Sequence, residues 1–224
     1  MFFASLGVLI LGFLVTSQPL AESEEDVNLV LALLPALVLP TAVVMTMVSV
    51  RMTNLWVRPP RPEEVIAQGL KGISNKSVLY SYYHFPARHV LIAPQGVFAI
   101  VTRFQDGRIF NEGDRWRVRK NPLVRLLSVF RLDNVGNPTF DALRAAQILQ
   151  AKLAPIAPDI EVQPLIVFVD PRVQLQVNEP TVPVLHADPK HTPNLKTYFR
   201  DAAREKRPTL TPEQITAFEE ATLP

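Results

Sequence analysis

The chain has 224 residues, 48% of them hydrophobic, with 23 Lys or Arg against 21 Asp or Glu and a formal net charge of +2. A charge so close to balance makes no case for nucleic acid as a partner by itself. The absence of cysteine excludes disulfides, zinc–thiolate sites, iron–sulfur clusters and thiol catalysis, and it fits a reducing compartment.

The hydrophobicity is concentrated at the start. Residues 1–17 carry no charged side chain, and residues 29–50 are likewise uncharged and overwhelmingly apolar. A spanning helix needs about 20 such residues, so the pattern predicts a transmembrane hairpin over residues 1–50, with helices at about 2–18 and 28–50. Pro35 and Pro40 are tolerable as kinks in lipid. The competing reading of 29–50 is a buried core helix, which its unbroken apolar length disfavours. For the first segment a cleaved signal peptide competes with an uncleaved helix. No Lys or Arg precedes the apolar run, and Pro19 stands where cleavage before Ala21 would prefer a small residue. The loop between the segments is acidic, AESEEDVN, whereas Arg51, Arg58 and Arg61 follow the second. The positive-inside rule then places everything after residue 50 on the cytoplasmic side of a cell membrane. Trp56 suits an interfacial anchor.

Residues 51–61, ending in WVRPPR, read as a stiff linker, and residues 62–224 as one domain. Residues 62–73 predict a helix with Pro62 early and Glu63 and Glu64 in its first turn. Strands follow at VLYSYYHF, at Arg88–Ala93 and at Gly96–Thr102, the last two joined by hairpin chemistry at Pro94-Gln95-Gly96. Period two puts Val97, Ala99 and Val101 on one face and Phe98, Ile100 and Thr102 on the other. Both faces are largely apolar, as in a strand covered on two sides. An outer hairpin is expected from Arg108–Phe110 and Asp114–Val118 around Asn111-Glu112-Gly113. Residues 121–137 are not assigned. Asn137-Pro138-Thr139 opens a helix whose Leu143, Ala146, Ile148, Leu149 and Leu153 suggest one packed side. Buried strand Glu161–Val169 and short strands at Val173–Val177 and Val182–His186 come next. Thr192-Pro193 and Thr211-Pro212 read as helix starts, and Thr211 with Gln214 fits a capping box.

Residues 85–109, FPARHVLIAPQGVFAIVTRFQDGRI, resemble the nuclease-related domain family, NERD. Gly96-Val97-Phe98, Ile100, Gly107, Ile109 and Trp116 fall where that family expects them, and the resemblance covers roughly residues 62–223. It implies an α/β fold, a restriction-endonuclease-like mixed sheet flanked by helices, here preceded by the two transmembrane helices.

The resemblance also implies a Mg²⁺ site built from acidic oxygens beside a Lys, because a hard cation takes carboxylate ligands and neutralises charge on the phosphate. The reactive positions of this chain depart from it. The family's strand Asp falls on Arg88, its Glu on Val101, its Lys on Arg103, and its helix Gln on Asp141. Arg103 keeps the charge but has no neutral form to serve as a base. Glu64, beside Glu63, is a remnant of the acid in the opening helix. The expectation is therefore a catalytically inactive relative without a cofactor, acting as a binding or scaffolding module at a membrane. The alternative is an active Mg²⁺-dependent nuclease using displaced acids, Glu64, Asp106 and Asp114.

Arg115, Arg117 and Arg119 alternate and would share one strand face, with Lys120, Arg125 and Arg131 continuing the charge. That face suits nucleic-acid phosphates or anionic lipid headgroups; charge that protects a solvated edge strand is the plain alternative. His186, Asp188 and His191 lack the spacing of a zinc site, and Tyr80, Tyr82 and Tyr83 read first as sheet packing. There is no phosphate-cradling loop, no dinucleotide fingerprint and no nucleophile elbow.

Overall fold

The structure of the chain, a computed structural model, describes residues 40–49, 61–73, 76–84, 87–119, 135–205 and 207–222, with residues 7, 10 and 52. It divides into two units. In the smaller, residues 40–49 are helical. Most of the two expected spans and of the linker lies outside the described residues, and among those described no helix is long and apolar enough to cross a membrane.

The larger unit takes in Pro60–Pro122 and Asn134–Pro224. It begins with α1 (Pro62–Gly69), followed by β1 (Val78–His84), β2 (Ala87–Ala93), β3 (Gly96–Arg103), β4 (Gly107–Glu112) and β5 (Arg115–Arg119). Then come α2 (Pro138–Leu153), β6 (Val162–Phe168), β7 (Val173–Asn178), β8 (Val184–His186), α3 (Leu195–Ala202) and α4 (Pro212–Thr222). One mixed sheet was expected; there are two. The larger runs β1-β2-β3-β6-β8 and the smaller β5-β4-β7.

β1, β2 and β3 form an antiparallel meander, and β6 joins β3 in parallel through the α2 crossover. Gly96 takes a φ of 126° at the β2–β3 turn, a backbone only glycine adopts without cost. After Arg103 the chain leaves the large sheet, and Gly107, at φ 87°, opens the second one. There β4 pairs with β5 antiparallel and with β7 parallel.

Every residue of β3 from Gly96 to Thr102 is buried. Val97, Ala99 and Val101 pack with α2, whereas Phe98 and Ile100 pack with Ile66 of α1 and Leu195 and Phe199 of α3. The two-sided cover read from the alternation is thus supplied by α2 on one face and by α1 with α3 on the other. Phe98 and Phe199 meet edge to face at 4.9 Å. Trp116, from the small sheet, donates from its indole to Thr139 Oγ1 at 2.8 Å.

Three expectations need correction. The packed side of α2 is Ala142, Ala145, Ala146, Leu149 and Leu153, while Leu143 is 43% exposed. The sheet beneath wants small residues for close approach, and the largest apolar side chains are not the best guide to the contact. The outer hairpin turns at Gly113-Asp114, not around Asn111–Gly113, because Asn111 belongs to β4. Thr192-Pro193, a cis peptide, precedes α3 without capping it. The cap is Asn194, whose side chain accepts from Thr197 N while the Thr197 hydroxyl reaches back. At α4, by contrast, Thr211 and Gln214 exchange side-chain-to-backbone bonds at 2.9 and 3.3 Å, as the capping box requires.

The corrected α2 face gives a paired test. Leu149→Ala should lower unfolding free energy by about 2–5 kcal/mol, and Leu143→Ala by no more than about 0.5 kcal/mol. Urea midpoints at equal slope measure both.

Candidate functional site

The positions at the end of β3 are built from its alternation. Val101 continues the apolar face toward α2, and Arg103 follows two residues on, as the strand leaves cover. The Arg103 side chain is only 14% exposed. Its Nε donates to the Val135 carbonyl at 3.1 Å, Nη1 to the Thr102 carbonyl at 3.2 Å, and Nη2 to the Asp141 carboxylate. Asp141 stands in the first turn of α2, a turn fixed by Pro138 and by the Asn137 cap on Phe140 N. Burial lowers the pKa of the Arg103 guanidinium and Asp141 opposes that, while Arg88 adds a repelling charge. All three guanidinium nitrogens are engaged. The arrangement holds a cation in place; it does not supply a base.

A second cluster lies at the β1–β2 edge and was not foreseen. The ladder slips between Ser81 and His84, and Tyr82 takes a φ of 70°, rare for a non-glycine. This turns Tyr82 so that its hydroxyl donates to Glu63 of α1 at 3.4 Å, and its ring meets His89 edge-on at 5.1 Å. His89 is fully buried, with Nδ1 3.0 Å from Ser81 Oγ and Nε2 unpartnered among the described residues. Burial pushes its pKa down to about 4, with Glu63 pulling upward and Arg88 reinforcing the fall. The acid of α1 that faces the sheet is therefore Glu63. Glu64 is exposed and pairs loosely with Arg61 at 3.9 Å.

The displaced acids do not gather. Asp106 pairs with Arg172 at 3.4 Å, and that same arginine makes two bonds to Asp170. Asp114 is exposed at the β4–β5 turn. Among the described residues no group of three or more His, Asp or Glu could hold a metal ion. His186 and His191 stack at 4.8 Å, but they join no such group either. Burial also lowers the His186 pKa to about 4, helped by His191 and opposed by Asp188. Tyr80 is buried and donates to Glu219 at 2.6 Å, whereas Tyr83 is exposed.

Arg115 and Arg117 are exposed on β5, and Arg119 occupies the next position of the same register row; Lys120 lies outside the described residues. Trp116 and Val118, the residues between, pack inward on the core. The neighbours across this face were invisible in the sequence, because β7 comes from far along the chain. Phe110 stands between Arg117 and Gln176, and Glu112 between Arg115 and Asn178. The period-two pattern of 174, 176 and 178 could have given their common side, but not the strand they adjoin.

The fold defines a class: a mixed α/β domain with two sheets flanked by helices, an arrangement that fits a nuclease-like fold. The family model described as nuclease-related domain matches residues 61–169, from the start of α1 through β6. No curated protein and no solved structure gives a match.

Two outcomes follow from these contacts. Asp141→Ala strips the carboxylate from a mostly buried guanidinium and should cost about 1–3 kcal/mol, whereas Asp141→Glu should recover part of it; thermal melts compare them. The pH dependence has a definite sign. Folding favours neutral His89 and His186, so unfolded chains bind more protons below the ordinary value of 6.5. Stability should be full above about pH 6.5 and decline as pH falls toward 4. His89→Gln should flatten that decline without abolishing it, since His186 contributes independently.

Proposed function

We propose that this chain is a membrane-anchored, cytoplasm-facing nuclease-related module that binds its partner without cleaving it. The observation that carries the reading is the fate of the Lys position. Arg103 there is tied at all three nitrogens, one of them to Asp141, and Val101 beside it offers no ligand. A Mg²⁺-dependent hydrolysis needs carboxylate oxygens around the metal, and around Arg103 the one partner carboxylate, Asp141, is engaged by the guanidinium. Glu63 is likewise engaged, by Tyr82. The apolar segments at 1–17 and 29–50, with arginines following the second, support the anchored topology.

Purified full-length chain should leave single- and double-stranded DNA and RNA intact with Mg²⁺ or Mn²⁺; metal-dependent cleavage that Glu63→Gln abolishes would overturn the reading. The topology has its own readout, because a chain without cysteine accepts single reporters cleanly. In intact cells a membrane-impermeant maleimide should label Ser23→Cys and spare Lys71→Cys. The reverse pattern would sink the proposed orientation.

A further inference from the structure

The small sheet has one face on the core and one face in water. Inward go Ile109, Trp116, Val118, Leu175 and Val177. Outward, the register sets Arg108 beside Gln174, Phe110 between Arg117 and Gln176, and Glu112 between Arg115 and Asn178. All of these are exposed apart from Phe110, which is half-buried at the centre. A concavity of about 640 Å³ lies here, lined by Phe110, Glu112, Arg115, Arg117, Gln176 and Asn178 among others. That is the size of an ordinary small-molecule site.

We propose that this outer face of β5-β4-β7 binds single-stranded nucleic acid, with an unstacked base on the Phe110 ring and the phosphates along the β5 arginines. The proposal rests on the preceding reading in that a module that does not cleave acts through what it holds. Arginines at alternate positions of β5 recur about every 7 Å along the strand. They provide affinity that is blind to sequence and sensitive to salt. The ring provides a stacking platform for any base. Gln176 and Asn178 each carry a donor and an acceptor, the complement of a base edge, and Glu112 accepts from an exocyclic amino group. These groups decide between the two anionic partners. A bilayer surface would use the cations alone, would be repelled by Glu112, and has no use for a central ring in a concavity. A duplex hides its base faces, so only an unpaired strand engages Phe110. Two strands of the face, β4 and β5, fall within residues 61–169, while β7 lies beyond them.

The test is fluorescence anisotropy with full-length chain in neutral detergent, EDTA present, and a labelled oligothymidylate of about 16 nucleotides, at about 50 and 200 mM salt. Arg115→Ala/Arg117→Ala should weaken binding at least tenfold and reduce the salt slope by about 1.4. Phe110→Leu should weaken it at least fivefold and leave the slope unchanged. Both variants should keep the wild-type urea midpoint to within the change expected of surface residues, which separates lost binding from lost fold. Equal binding by wild type and variants overturns the proposal, as does the absence of binding. Capture of phosphatidylserine vesicles through the same arginines, without oligonucleotide binding, overturns it in favour of lipid. Adding Mg²⁺ in a parallel sample reads cleavage separately: product formation strikes the non-cleaving reading and leaves the binding face standing.

Discussion

The central strand β3 imposes the constraint on which the rest of the larger unit depends. Seven consecutive buried residues, Gly96 to Thr102, cannot be shielded by one layer, because alternate side chains leave opposite faces of the sheet. The fold therefore needs α2 on one side and α1 with α3 on the other. Fully burying a side chain such as Phe98 contributes about 1.5–3 kcal/mol, so the cover is a matter of stability as well as geometry. The same strand delivers Val101 and Arg103 to the place where cover ends.

What stands at that edge is governed by how charge behaves when water is removed. A partly buried guanidinium is costly unless its donors are met. Arg103 meets its needs with two carbonyls and Asp141, and the result is a closed polar knot at the end of β3. A guanidinium tethered at three nitrogens, with Val101 two residues before it, fixes both the charge and the mobility of this position. The Glu63–Tyr82–His89 cluster is less complete, with His89 Nε2 left without a partner among the described residues and backbone strain at Tyr82 where the ladder slips.

The small sheet reaches a different balance. Its inner face shares the main core through Ile109, Trp116 and Leu175, and the Trp116–Thr139 bond links it to the start of α2. Its outer face carries none of that burden, so cations, amides and one ring can occupy it without loss of packing. Packing and the proposed recognition thus fall on opposite sides of the same three strands.

The sequence by itself determined the strands and helices of the larger unit nearly in full, because a two-sided apolar run, proline at helix starts and glycine at turns act locally. It also determined that Arg115, Arg117 and Arg119 alternate along the chain, and that valine and arginine stand at the end of β3. The tertiary structure decided what local pattern cannot: that Leu143 faces solvent while Ala142 and Ala145 pack, that Asp141 closes on Arg103, and that Glu63, not Glu64, turns to the sheet. It decided also that β4 and β7 pair in a second sheet, setting Phe110 beside Gln176. Each of these depends on contacts between residues distant in sequence, whose register follows from how whole elements pack and leaves no trace in the spacing of either partner alone.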